Sequence, residues 1–204
     1  MYLRKENIFA SEISKEQAAS LKQSYGIRRI PPYFLSLLGA AHDMALKEEE
    51  KEGLGIIYVS HLGPVDQIHK YVNDLLTYQP EDCSPAYFSH SVFNAPAAFL
   101  TKHLNLHCSC LSVCGFRQII ESSVLTAYSW LKTGYCSRVM MIFTDDISEI
   151  SLKISDLTGL RLFKNHYILL VENAPEGATD RIAPEQLIEH VKQTFEKEKK
   201  NGFR

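Results

Sequence analysis

The sequence predicts an α/β fold, with a mainly parallel mixed sheet and helices on both of its faces. Three observations carry this. Apolar runs of strand length, bounded by glycine or polar residues, recur at "GLGIIYVS" (53–60), "LHCSCLSV" (106–113), "SRVMMIFT" (137–144) and "HYILLVEN" (166–173). Longer stretches with apolar residues three and four apart lie between the first three, the alternation that builds βαβ units. No internal repeat or low-complexity linker divides the chain, and 204 residues suit one domain spanning 1–204.

Taken in order, Lys15–Tyr25 reads as a short helix stopped by Gly26. After Pro31–Pro32 a long helix is expected from about Tyr33 to Glu50, with Leu35, Leu38, Ala41, Met44 and Ala45 as its apolar stripe. The continuously apolar 53–60 run is a buried strand. "GPVDQIHKYVNDLLTY" follows as a helix with Pro64 near its first turn and Val65, Ile68, Val72, Leu75 and Leu76 inward. Pro80 to Pro85 carries turn chemistry, followed by an extended piece and a helix of small residues from about Asn94. The strand 106–113 leads into a helix over 117–134, apolar at Ile119, Ile120, Val124, Leu125 and Ala127 and closed by Gly134. Strands at 137–144 and 166–173 flank an irregular region, Asp145–Asn165. A surface helix at about 184–199 is amphipathic through Leu187, Ile188, Val191 and Phe195.

A formal net charge of −2 gives no electrostatic basis for nucleic-acid binding. The charge runs at 47–52 and 196–200 mix both signs and read as solvated helix ends. No apolar run approaches the roughly 20 residues that span a bilayer, and the first residues lack a signal-peptide core. The expected location is the cytoplasm, where the five cysteines stay reduced.

Three of those cysteines fall in "HCSCLSVCGFRQ", and they admit three readings: metal ligands, a nucleophile, or packing. Strand alternation puts Cys108, Cys110, Ser112 and Cys114 on one face, and a linear row does not wrap a tetrahedral ion, even with His103 and His107 nearby. Packing of small residues beneath a helix is the favoured reading, and no metal or cofactor is expected. A nucleophilic thiol would need the helix mouth, where the dipole lowers its pKa. The helix starts near Phe116, and the residue at the turn is Arg117, flanked by Phe116 and Gln118; Cys114 stops short of it.

"SPAYFSHSVFNAPAAFLTKHLNL" and "SVCGFRQIIESSVLTAYSWLKTG", with "VMMIFTDD" after them, resemble in order and spacing the N-terminal half of a β-ketoacyl synthase, a thiolase-like protein. The resemblance is best from about Cys83 to Asp146. It implies a thiolase-like half-fold. Counting by the family's spacing, forward from Asn94 and back from Gly134, reaches Arg117 where active members carry a cysteine that receives the acyl chain. A one-residue slip reaches Gln118. Neither can form a thioester. The two histidines of active members come from a second half that this chain does not match, and His166 and His190 lie outside any corresponding motif.

The resemblance is therefore to the chain-length-factor type of subunit, in particular the short partners of aryl-polyene and flexirubin-type ketosynthases. It implies no intrinsic condensing activity and a heterodimer with an active β-ketoacyl synthase. An acyl carrier protein would be involved indirectly, and scattered Arg28, Arg29, Lys102 and Lys132 could receive it. The strand bearing Cys108, Cys110, Ser112 and Cys114 would be the paired edge at the interface. Phe88, His90, Val92 and Phe93, with Asn94, would shape the partner's acyl tunnel; the competing reading packs these aromatics into the chain's own core. His90 and Asn94 receive no chemical role, Asn94 being the expected cap of the next helix. Arg117 either bonds across the interface or stands in solvent. Two other functions stay open: a small thiolase-like acyltransferase using Cys114 or Cys110, and a scaffolding homo-oligomer.

Overall fold

In the computed structural model, which describes residues 1–175 and 179–200, the four apolar runs all become strands, and a fifth joins them. The elements are β1 (Tyr2–Ala10), α1 (Lys15–Ser24), α2 (Pro32–Asp43), α3 (Glu48–Lys51), β2 (Leu54–Ser60), α4 (Val65–Thr77), α5 (Pro85–Ser91), α6 (Ala95–His103), β3 (Ser109–Cys114), α7 (Ile119–Lys132), β4 (Arg138–Phe143), α8 (Glu149–Thr158), β5 (Asn165–Glu172) and α9 (Pro184–Lys200). The sheet order is β1-β5-β4-β2-β3. β2 pairs in parallel with β3 and β4, while β5 runs antiparallel to both β4 and β1. Four strands thus point one way and β5 alone is reversed.

Alternation along the central strands sends side chains to two cores. Ile56, Tyr58, Met140, Ile142, Ile168 and Leu170 face α2 and α6 through Leu35, Leu38, Ala97 and Leu100. Ile57, Val59, Met141, Phe143, Leu169 and Val171 face α7 and α9 through Val124, Ala127, Leu131, Leu187 and Val191. Helices cover both faces, so the central strands carry no polar side and read as unbroken apolar runs.

β1 escaped the sequence reading because its alternation changes phase. A register shift between Leu3 and Lys5 sends Leu3 to the α7/α9 core and Phe9 to the α2/α6 core, although both are odd-numbered. The expected long helix 33–50 ends at Asp43: Ala45 adopts φ 47°, breaking the chain before the single turn of α3. The segment after Pro85, expected extended, is helical α5, laid against α4. The region 145–165 contains α8, begun by a reciprocal Ser148–Ser151 capping box and closed by left-handed Gly159.

Two apolar stripes are corrected as well. Val72, Leu75 and Leu76 are exposed because α4 rests on α5 and α8 instead of the sheet, and Leu125 faces outward on α7. The run at 47–52 is not wholly solvated. Glu50 is 1% exposed and accepts from Lys5 Nζ (2.7 Å), Arg4 Nε (3.2 Å) and the Lys47 amide (2.9 Å). Of the run 196–200, the side chains of Glu198, Lys199 and Lys200 lie outside the described residues.

Candidate functional site

The register aligns Ser60 with Cys114 and Val59 with Phe143, so the carboxyl ends of β2, β3 and β4 emerge together. From there β2 connects through α6 on one face and β3 through α7 on the other. Loops diverging to opposite faces open a crevice at the strand ends, the usual place for a ligand in a sheet of this kind.

The turn after β3 forms one wall. Gly115 N–H donates to Ser60 O (3.4 Å), and Gln118 occupies the N-cap position of α7 with a left-handed backbone, φ 55° and ψ 20°. Its side chain makes no capping bond. Arg117 and Gln118 are both exposed, and Arg117 has no hydrogen bond or ion pair among the described residues. In the chain itself, then, Arg117 stands in solvent. Arg117→Ala is expected to leave the thermal midpoint unchanged within a degree or two, the ordinary result for an exposed side chain without partners, as differential scanning calorimetry would read.

The cysteines lie along β3 and just before it. Cys108 and Cys114 pack against the α2/α6 core, but Cys110 does not pack as the alternation implied: it is exposed and lines, with Cys108, a groove beside Asn94 and, on α6, Ala98 and Thr101. Desolvation, with Asp145 nearby, pushes the Cys114 thiol up to about 11; desolvation, with Cys108 beside it, does the same to Cys110. At neutral pH both are protonated, the reverse of what a nucleophile needs. Among the described residues no group of three or more His, Cys, Asp or Glu is placed to hold a metal ion. Ser112 Oγ is buried without a hydrogen-bond partner among the described residues.

β3 has β2 on one side and no strand on the other among the described residues. On or beside that strand, Leu111, Phe116 and Tyr135 are exposed, the last accepting from Ser109 Oγ (2.9 Å). Phe88, Val92 and Phe93 are exposed too, with Phe88 against Tyr71 (5.5 Å between centroids). His90 turns inward, edge-on to Phe34 at 5.5 Å. Asn94 precedes α6 but makes no side-chain cap, since its backbone is already helical (φ −89°, ψ −3°). Phe93 lies over Gly63, where a Cβ would meet the ring at 2.5 Å; with φ 63° as well, only glycine fits there.

The most ordered part of the crevice was not foreseen. Asp145, at the end of β4, is fully buried and accepts five hydrogen bonds. Oδ1 receives Ser60 Oγ (2.7 Å), His61 N–H (2.7 Å) and Leu62 N–H (3.3 Å); Oδ2 receives His61 Nδ1 (2.8 Å) and Phe163 N–H (2.8 Å). Phe163 stacks on the His61 ring at 4.3 Å. Asp146, beside it, is also buried but accepts only from Asp66 N–H (3.2 Å); burial pushes its carboxyl up to about 6. It lines an open cavity of about 350 Å³ with Glu12, Tyr33, Ser36 and Asp66. Behind these, His166 bonds Thr144 Oγ1 (2.7 Å) and Ser36 Oγ (3.0 Å), and the Tyr33 and Tyr58 hydroxyls meet at 2.6 Å. The signal for this set was the polar pair ending each apolar strand, Ser60–His61 after β2 and Asp145–Asp146 after β4.

The model of the "Beta-ketoacyl synthase, N-terminal domain" family matches residues 14–151. No curated protein matches. Among solved structures the fold is shared with a ketosynthase in complex with its chain length factor (ApeO and ApeC) from Xenorhabdus doucetiae, at TM-score 0.58 and 17% identity, covering 85% of this chain and 80% of that one. It is shared also with the ishigamide ketosynthase/chain length factor (TM-score 0.58, 14% identity, 78% and 49% covered). A third such structure is a β-ketoacyl synthase from Burkholderia phymatum (TM-score 0.58, 14% identity, 82% and 47% covered). Against the latter two, this chain spans about half the length.

Proposed function

Since the chain belongs to the β-ketoacyl synthase N-terminal domain family, we propose that it is a chain-length-factor type of subunit, which pairs with an active ketosynthase and helps shape its acyl tunnel. The observation that carries this is the turn from β3 to α7, where Arg117 and Gln118 offer no group able to hold an acyl chain. The shared fold with a ketosynthase in complex with its chain length factor supports the same reading. The acyltransferase alternative loses ground to the raised thiols of Cys110 and Cys114.

The open edge of β3 supports pairing. An unpaired strand that carries exposed Leu111 and is followed by exposed Phe116 invites another sheet edge. A partner seated across β3 would bring its tunnel towards Phe88, Val92 and Phe93, whose bulk would limit chain length at a cost of about 1–3 kcal/mol for overpacking. An aryl-polyene or flexirubin-type pathway is the setting of the short partners this sequence resembles.

Co-expression with a ketosynthase of this family tests the reading. One co-eluting complex is expected on size exclusion, and Leu111→Asp, a charge on the exposed edge, is expected to abolish it while leaving the chain's own circular dichroism unchanged. Separate elution of the two wild-type chains would refute the proposal.

A further inference from the structure

We propose that the cavity where the starts of α2, α4 and α8 meet binds a small aliphatic amine, held as its ammonium ion by the carboxylate of Asp146 and the side-chain carbonyl of Gln67. The cavity holds about 350 Å³, at the lower end of the range for small-molecule sites. Asp146, which follows β4, and Gln67, in the first turn of α4, both line it and are only 6% and 4% exposed. Each has one oxygen to which nothing is bonded. Asp146 takes the Asp66 N–H on Oδ2 (3.2 Å), and its Oδ1 has no donor among the described residues. Gln67 gives Nε2 to Asp66 Oδ2 (3.0 Å). A carboxylate only accepts, so this bond fixes which way the amide points and leaves Oε1 without a donor. Neither oxygen is sealed, since among the described residues only Ser112 Oγ is a buried side-chain polar atom without a partner. Both therefore open onto the cavity that they line.

Such a site selects its ligand by sign and by the type of hydrogen bond. Glu12 and Asp66 line the same cavity, and none of the described residues around it is basic. Lys70, one helical turn on from Asp66, is paired with Asp66 Oδ2 (2.6 Å), and Asp146 makes no ion pair among the described residues. Burial accordingly pushes the Asp146 carboxyl up to about 6, a charge kept at a cost until a cation arrives. The α4 amides at this corner are spent, Asp66 N–H on Asp146 and Gln67 N–H on Pro64 O (3.0 Å). An anion finds neither a cation nor a free α4 amide here. A metal ion is disfavoured too, because no three His, Cys, Asp or Glu among the described residues are placed to hold one. An ammonium ion carries three N–H donors and no acceptor, which suits oxygens that only accept. Ile13, Pro31, Pro32 and Ile147 supply apolar wall for a short hydrocarbon chain.

This cavity shares no residue with the β3 edge and its test needs no partner subunit, so its failure and that of pairing are separate results. The full chain, isotope-labelled and purified alone, is titrated with n-butylamine at pH 7 and constant ionic strength, and the amide resonances of Asp66, Gln67 and Asp146 are followed by NMR. Saturable shifts at these amides are expected, while n-butanol, the uncharged analogue, gives none. Asp146→Asn keeps an acceptor for the Asp66 N–H, and with it the fold. It is expected to weaken binding about 10- to 100-fold, the scale of one charge-assisted hydrogen bond. Gln67→Met, which keeps the volume and removes Oε1, is expected to weaken it about tenfold with the circular dichroism unchanged. Equal affinity in the wild type and Asp146→Asn, shifts that do not saturate, or tighter binding of magnesium chloride at the same amides would overturn the proposal.

Discussion

Asp145→Ala is expected to lower the thermal midpoint by roughly 10 °C. The carboxylate joins the ends of β2 and β4 to the loop before β5, accepting from two side chains and three backbone amides in a site closed to water. Deleting it strands several buried donors at once. Breaking a buried charged network from one side costs about 3–5 kcal/mol, and a chain of this size loses about 2–4 °C per kcal/mol. Asp145→Asn is expected to be little better, because its amide nitrogen would face N–H and O–H donors. The neighbouring Asp146→Asn is the control. Asp146 accepts only one bond, and its raised pKa means that its charge is held at a cost at pH 7, so the neutral isostere is expected to leave stability equal or higher. Calorimetry of the three variants at pH 7 checks the contrast. Equal losses at 145 and 146 would mean that volume, and not the hydrogen-bond set, governs this corner.

What could be read from the residues follows from where each element packs. β2, β4 and β5 announced themselves because both faces of the sheet are covered, leaving no polar alternation to confuse with a helix. β1 did not, because a shift of one residue near its start, between Leu3 and Lys5, reverses its inward face. α8 was legible in principle from Ser148, Ser151 and Gly159, a capping box and a left-handed stop that the apolar pattern alone does not weigh. The outward side of α4 could not be foreseen, since a stripe of Val72, Leu75 and Leu76 looks the same whether it meets a sheet or solvent. Motif spacing pointed to Arg117 or Gln118 at the β3–α7 turn and to a helix from near Phe116; in the structure α7 begins later, at Ile119, after a left-handed Gln118. His61 and Asp145 are 84 residues apart in the chain. Only the parallel pairing of β2 with β4 brings them together, and no local pattern encodes that.

The same corner sets the response to acid, through two buried groups of opposite sign. His166 is held neutral by burial, its pKa lowered from 6.5 to about 4. A depressed folded pKa gives stability that is full above 6.5 and is lost as pH falls towards 4, to a total of about 3 kcal/mol. Asp146 has its pKa raised by burial from 3.8 to about 6. A raised folded pKa works the other way, and stability returns as pH falls from 6 towards 3.8, again by about 3 kcal/mol. Over nearly the same interval the two cancel, so the wild-type thermal midpoint is expected to stay almost flat between pH 6.5 and 4. Acid loss begins lower, as pH falls from 4.5 towards 2. There Glu50, held down to about 2 by Lys5, the Lys47 amide and Arg4 against its own burial, takes up its proton and releases them. Asp146→Asn removes one side of the balance. Its midpoint is expected to fall by roughly 6–12 °C from pH 6.5 to pH 4, while Asp146→Asn combined with His166→Gln becomes flat again. Parallel curves for the wild type and Asp146→Asn would show that His166 is protonated without penalty, and that the hydrogen bonds to Thr144 and Ser36 rearrange to accept its charge.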